Sequence, residues 1–234
     1  MVLNSKEKNA LFQAPIGDSP KAKLNGNSIF WTLAPAKAPG LSWMPPNCVL
    51  EIDDVSQEWT WQDPFDLIHL RFMLGAFTPD EWDDVYKQCY ENLNPGGWIE
   101  HTEVGIAALC DDGSLPEDNI LRTWAPNTIP AAENSGRPID TIDTMRGAIE
   151  KAGFVDVHEK EHKLPVGPWA KDPVLKEAGR LNYHHWASGL EGWGMWILTK
   201  FGVPEPWAKE EVQVYTGDLR KELKKPHHHV YQIA

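Results

Sequence analysis

The sequence predicts an α/β fold built on a mostly parallel sheet, and two neighbouring stretches carry this prediction. Residues 65–77 form a dense apolar run, FDLIHLRFMLGAF, which is typical of a buried central strand that passes into a short helix. Residues 78–103 contain an amphipathic helix, the turn Asn-Pro-Gly-Gly and a second apolar segment. A strand, a helix, a glycine turn and a strand in this order form a βαβ unit, which places both strands parallel in one sheet.

The composition is typical of a globular protein and argues against two classes of partner. The 234 residues are 41% hydrophobic and 24% charged, which is enough for one well-filled domain. The net charge is −12, and no basic run extends beyond RKELKK at 220–225. Neither nucleic acid nor an anionic membrane surface is therefore expected as a partner, because both are bound through clustered Lys and Arg.

Cysteine usage and the N-terminal residues indicate an intracellular protein, cytoplasmic or nuclear. Cys48, Cys89 and Cys110 are odd in number and form no Cys-x-x-Cys pair, as expected in a reducing compartment. The first residues lack the continuous apolar core of a signal peptide, and no stretch approaches the roughly 18 apolar residues that span a bilayer.

Three segments precede the βαβ unit. Residues 1–27 mix Lys, Asn, Gly, Pro and Ser without a period, so we expect a poorly ordered arm there. Residues 28–33, SIFWTL, predict a short strand. Residues 48–55, CVLEIDDV, predict a strand that opens into a loop at Asp53 and Asp54.

The helix of the βαβ unit has the clearest boundaries in the chain. Thr78 and Glu81 form a capping box, with Pro79 at the first helical position. Pro95 and the glycines after it stop the helix, because proline cannot continue it and glycine tolerates positive φ. Apolar side chains recur at helical spacing and predict one buried face: Trp82, Val85, Tyr86, Cys89, Tyr90 and Leu93.

After the βαβ unit the pattern is mixed, and from Pro165 onward it changes to helices. A polar connector with a short helix near 120–124 precedes a helix at 141–152 and a strand at 154–164. Further helices are predicted from Asp172 and near 206–223, with a shortened strand at the C-terminus. The expected domains are an arm over 1–27, an α/β core over 28–164 and a helical substrate lid over 165–234.

Candidate site residues follow the predicted strands at their carboxyl ends, where ligands bind in open α/β sheets. They are Asp53 and Asp54; His69 and Arg71; and Glu100, His101 and Glu103. The two aspartates could accept hydrogen bonds from an exocyclic amine such as that of adenine, or form a solvated acidic turn.

Histidines are the candidate bases. His69 and Arg71 interrupt an apolar run, which indicates either a site or a structural histidine beside a surface arginine. His69 or His101 could deprotonate an OH or NH nucleophile. Glu100 and His101 point to opposite faces of a strand, so only one of them can face a given pocket.

Three other patterns bear on a possible ligand site. The runs 184–185 and 227–229 consist of adjacent histidines, which do not converge on one ion, so no metal site is expected. GLEGWG at 189–194 lacks the spacing of a phosphate loop. The twelve tryptophans are core filler or the walls of an aromatic pocket.

A series of segments in order resembles one family. PPNCVLEIDDV, DPFDLIHLRFMLGAF, YENLNPGGWIEHTE, SLPEDN, SGRPID, AGFVDVHEK, PVGPWAKDP and RKEL are similar to the fungal LaeA-like, S-adenosylmethionine-dependent methyltransferases. The resemblance extends from about residue 28 to about residue 225. It implies a class I methyltransferase fold, which is Rossmann-like.

The resemblance also implies roles for the candidate residues. S-adenosyl-L-methionine would be the cofactor, with Asp53, Asp54 and Val55 bordering its adenine and His69 to Arg71 near its methionine end, where Arg71 is the candidate contact. His69, His101 and Glu100 would form the catalytic group, and the helices after Pro165 would cover the substrate.

Departures from the family pattern concern the first strands. Family members begin with a strand that ends in a G-x-G loop, and residues 1–27 match neither the strand nor the loop. Thr32 stands where an acid would bind the ribose hydroxyls. The expectation is an N-terminally truncated member with an incomplete sheet, whose exposed edge a protein partner or a second copy could cover.

Two functions follow as hypotheses. The first is a methyltransferase of fungal secondary metabolism that acts on an O or N of a small aromatic metabolite, or otherwise processes it. The alternative is a pseudo-methyltransferase that does not methylate and acts as a pathway-steering or regulatory interaction protein.

Overall fold

The computed structural model describes residues 54–234 in full and, before them, the backbone of strands at 2–5, 28–32 and 48–51. The chain divides into two compact units. The first comprises residues 1–103 and 145–157, and the second comprises residues 104–144 and 158–234. Residues 104–144, which we predicted within the α/β core, thus group with the C-terminal helices.

The first unit contains a five-stranded sheet. Its strands are β1 (Val2–Ser5), β2 (Ser28–Thr32), β3 (Cys48–Glu51), β4 (Phe65–Arg71) and β5 (Leu93–Thr102). They lie in the order β3-β1-β2-β4-β5, with β5 at one edge. β2, β4 and β5 run parallel, whereas β1 is antiparallel to both of its neighbours. The predicted α/β fold with parallel central strands is confirmed.

The first strands differ from the predictions. Val2–Ser5 is a strand within the stretch where we expected an arm, because four residues are too few to show a period. The rest of 1–27 lies outside the described residues. β2 pairs directly with β4. In a doubly wound sheet the first strand occupies this position, whereas the resemblance implied that β2 is the next strand, which binds the ribose.

The helix between β4 and β5 follows its sequence closely. This helix, α1 (Pro79–Glu91), begins with the predicted capping box. Thr78 Oγ1 accepts the Glu81 N–H at 3.3 Å, and Glu81 Oε2 accepts the Thr78 N–H at 2.8 Å. These bonds satisfy two amides that would otherwise lack partners at the helix start.

Among the described residues of the first unit, an apolar core joins the sheet to its helices. β4 contributes Phe65, Ile68 and Leu70, and α1 contributes four buried side chains. A second helix, α3 (Thr141–Lys151), adds Ile149. The short helix predicted after β4 is absent, and residues 72–77 form turns that lead to Thr78.

The second unit consists mainly of helices. Its long helices are α2 (Trp124–Asn134), α4 (Pro173–Phe201) and α5 (Lys209–Leu223). Two short strands, β6 (Lys163–Pro165) and β7 (Tyr231–Ile233), form an antiparallel pair. The strand predicted at 154–164 is therefore confined to its last residues and Pro165.

Tryptophans build the core of the second unit. Trp124 and Trp186 are buried, and the Trp124 ring lies 6.2 Å from Tyr215 in a stacked arrangement. Trp186 Nε1 donates to Gln232 Oε1 at 2.8 Å, which joins α4 to β7. Of the two interpretations of the tryptophans, core filling holds for this pair.

Candidate functional site

The carboxyl ends of β4 and β5 bring the candidate residues side by side. The parallel register pairs His69 with Glu100, and Leu70 with His101. Because successive side chains of a strand alternate, His69 and Glu100 share one face of the sheet. His101 lies on the other face, towards α1.

His69 and Glu100 form a close pair. His69 Nδ1 lies 2.7 Å from Glu100 Oε2, and their side chains are 18% and 48% exposed. The hydrogen bond from His69 lowers the pKa of Glu100, so this carboxyl group is ionised at neutral pH. The carboxylate therefore accepts from Nδ1–H, and in the neutral imidazole Nε2 is the basic nitrogen.

His101 belongs to a second, buried group. Its Nδ1 lies 2.8 Å from the Tyr86 hydroxyl, and its Nε2 lies 2.9 Å from Glu103 Oε1. The same carboxylate oxygen accepts the Met73 N–H at 2.6 Å. The side chains of His101 and Glu103 are 1% and 0% exposed. Both ring nitrogens of His101 are thus engaged inside the protein.

The proposed cofactor contacts differ in their surroundings. Asp54 is exposed, and its carboxylate accepts from the amide and the hydroxyl of Ser56 at 3.0 and 2.7 Å. The Ser56 hydroxyl is the main cause of a lowered pKa for Asp54, so the carboxylate is charged. Val55 is buried in the core, and its carbonyl accepts from Trp59 Nε1 at 3.0 Å. Asp53 lies outside the described residues.

Arg71 lies at the very end of β4. Its guanidinium carbon is 4.7 Å from the centroid of the Phe72 ring, a cation–π contact. The Arg71 side chain is exposed, in contrast to its neighbour Leu70. A charged donor is therefore accessible at the carboxyl edge of the sheet, in the strand that also holds His69.

Tyr86 and Glu103 are functional candidates whose roles the sequence did not predict. Glu103 follows His101 by two residues, so strand alternation alone would have placed both on one face. Tyr86 was predicted only as part of the apolar face of α1. Its contact with His101 depends on how the helix packs on the sheet, which no local pattern encodes.

Two histidines of the run 227–229 have structural partners in the second unit. His228 Nδ1 lies 2.8 Å from the Ser114 carbonyl oxygen, and His229 Nδ1 lies 2.5 Å from Asp112 Oδ2. Among the described residues, no group of three or more His, Cys, Asp or Glu is arranged to hold a metal ion. The GLEGWG segment lies inside α4.

Comparisons with known proteins match this fold. A family described as "Methyltransferase domain" matches residues 22–159. Methyltransferase pytC of Aspergillus terreus is 36% identical over 181 residues, or 77% of this chain and 54% of that protein. Secondary metabolism regulator LAE1 of Cochliobolus heterostrophus is 36% identical over 160 residues, or 67% and 52%. Probable methyltransferase tdiE of Emericella nidulans is 28% identical over 184 residues, or 79% and 55%.

The fold, the matched domain and these relatives define the class of protein as an α/β methyltransferase with a Rossmann-like sheet. The chain belongs to the fungal LaeA-like family of methyltransferases, which is associated with secondary metabolism. It spans about half the length of the curated relatives it matches. The resemblance stated from the sequence is confirmed. In the part of the chain that the structure describes, no helix is long and apolar enough to cross a membrane.

Proposed function

We propose that the chain carries the substrate side of a methyltransferase site, where a methyl group is transferred to an O or N of a small aromatic metabolite. The observation that supports this most is the pair formed by His69 and Glu100. A histidine and an ionised carboxylate lie 2.7 Å apart at the carboxyl ends of two parallel strands. This is the edge of the sheet at which α/β enzymes bind their ligands.

His69 acts as the base, and Glu100 orients it. Glu100 accepts from Nδ1–H, so Nε2 takes the proton from the hydroxyl or amine of the substrate. The carboxylate then stabilises the imidazolium that forms. His101 has no such role, because Tyr86 and Glu103 occupy both of its ring nitrogens.

Methyltransferases generally use S-adenosylmethionine, and two described residues fit its polar ends. The exposed carboxylate of Asp54 would accept from the adenine amine, and Arg71 would hold the methionine carboxylate. The buried Val55 side chain offers no such contact. When bound, this cofactor supplies an electrophilic methyl group on a sulfonium.

A methyl-transfer assay with a panel of phenols and indoles tests the proposal. We expect His69→Gln to lower the turnover by about a hundredfold or more, the usual contribution of a general base. Glu100→Gln should lower it about tenfold, because the neutral amide stabilises the imidazolium less. Equal turnover in wild type and His69→Gln would remove His69 as the base.

A second function, regulation of secondary metabolism through a protein partner, is supported by the name of the relative LAE1. A partner or a second copy at a sheet edge fits this alternative. It would be favoured if the folded chain transferred no methyl group to any acceptor of the panel and captured a defined protein partner.

A further inference from the structure

We propose that Glu103 is a positioning residue that holds the turn after β4, formed by Phe72 and Met73, in a conformation it would otherwise leave. Through this turn Glu103 fixes the end of β4, which carries His69 and Arg71. The inference rests on the proposed function only for its effect on catalysis.

The turn is strained at Phe72. Phe72 has φ of 53°, in the left-handed region that side chains with a Cβ rarely adopt. No glycine relieves this position, although Gly75 with φ of 70° stands three residues further on. Such a conformation persists only where the surrounding contacts determine it.

Two consecutive amides hold the turn in place. The Phe72 N–H donates to the Thr102 carbonyl at 3.1 Å, which continues the pairing with β5. The Met73 N–H donates to Glu103 Oε1 at 2.6 Å. Met73 is 4% exposed, so without Glu103 its amide would need another partner in a buried place.

Burial of the Glu103 carboxyl group, which makes this bond, destabilises the fold. Glu103 Oε1 has two hydrogen-bond partners, whereas Oε2 is buried with none among the described residues. An unpaired polar atom in a core destabilises the protein, and it requires an explanation. We explain the buried Oε2 by the role of the other oxygen, because Oε1 must lie inside the protein to hold the turn.

Tyr86 and His101 orient the carboxylate. Burial raises the pKa of Tyr86, so its hydroxyl keeps its proton and can donate to His101 Nδ1. His101 then carries its own proton on Nε2 and donates it to Glu103. The chain of bonds thus runs from α1 through β5 to the turn after β4.

Amide hydrogen exchange of Met73, followed by NMR, tests whether Glu103 holds the Met73 amide, and this test does not depend on activity. Glu103→Met keeps a similar volume and removes the acceptor, and its circular dichroism spectrum shows whether the fold persists. We expect it to accelerate Met73 exchange by about tenfold or more, as the loss of one hydrogen bond predicts. Glu103→Gln keeps an acceptor for the Met73 amide, so its exchange should stay near wild type. Tyr86→Phe removes only the outer bond to His101, so its effect on Met73 exchange should be smaller than that of Glu103→Met.

The substitution Phe72→Gly distinguishes a positioning role of Glu103 from a role in packing alone. Phe72→Gly removes the strain, because glycine adopts positive φ freely. Glu103→Met should therefore lower turnover by about tenfold in the Phe72 background and much less in the Phe72→Gly background. Equal losses in both backgrounds would overturn the positioning role.

The outcomes distinguish the two proposals. Unchanged Met73 exchange in Glu103→Met would overturn the positioning role of Glu103, whatever the activity. A wild-type chain without methyl transfer would overturn the proposed function, and the exchange result for Glu103 would still stand.

Discussion

His69 and His101 differ in what surrounds them, and the roles that we propose for them depend on this difference. His69 and Glu100 form a partly exposed pair, whereas His101 is buried between Tyr86 and Glu103. The sequence predicted that adjacent residues on β5 face opposite sides, and the register confirms this. It could not predict which face would be filled, because that depends on the packing of α1.

Glu222 gives a prediction about acid stability at the residue scale. It accepts from Lys225 Nζ at 2.6 Å and from Asn119 Nδ2 at 2.9 Å, and His228 Nε2 lies 3.1 Å away. The bond from Lys225 is the main cause that lowers the pKa of Glu222 from 4.5 to about 2. Because the folded value is lower, Glu222 stabilises the fold above the unfolded value, and this contribution is lost as the pH falls towards 2.

Glu222→Gln should therefore lower the free energy of unfolding by roughly 1 kcal/mol at pH 7, since its partners are partly solvated. Its melting temperature should fall by about 2–4 °C at pH 7, and the gap should narrow as the pH drops below 4. Glu117→Gln is the control, because the Glu117 side chain is 94% exposed. A gap for Glu222→Gln that did not change with pH would contradict the linkage.

At the scale of elements, capping signals marked the helix starts correctly, whereas local sequence did not predict how far the helices extend. The capping box at Thr78 and the Asp172 cap both mark true helix starts. α4 continues through the GLEGWG segment at 189–194 to Phe201, because its apolar side chains pack on neighbouring helices. α2 likewise contains Pro130, which local rules would take for a break. Tertiary packing overrides local propensity in both helices.

Two glycines of α4 give a matched pair of predictions. A Cβ at Gly179 would overlap the carbonyl oxygen of Gly167, whose amide donates to the Gly179 carbonyl at 2.9 Å. Gly179→Ala should therefore lower the free energy of unfolding by about 2–3 kcal/mol. A Cβ at the exposed Gly192 would meet no described atom within 4 Å.

Gly192→Ala should raise the free energy of unfolding by about 0.5–1 kcal/mol, because alanine is the better helix former. Urea unfolding of both variants measures these changes. A stabilised Gly179→Ala variant would show that the contact between α4 and the turn at Gly167 is looser than described.

At the scale of the whole molecule, family membership was predictable and the arrangement of the first strands was not. The ordered series of motifs between residues 45 and 223 identified the family that the comparisons then confirmed. Short strands such as Val2–Ser5 carry no periodic signal, so their place beside β2 and β3 could not be predicted. The grouping of residues 104–144 with the C-terminal helices also depends on long-range packing.

Calorimetric titration with S-adenosylhomocysteine tests most directly whether the carboxyl edge of β4 is a methyltransferase site. We expect saturable binding of one ligand per chain. Arg71→Gln and Asp54→Asn should each weaken it by about tenfold or more, since each removes a charge-assisted hydrogen bond. A folded wild-type chain that gave no heat of binding with millimolar ligand would contradict the proposed cofactor site.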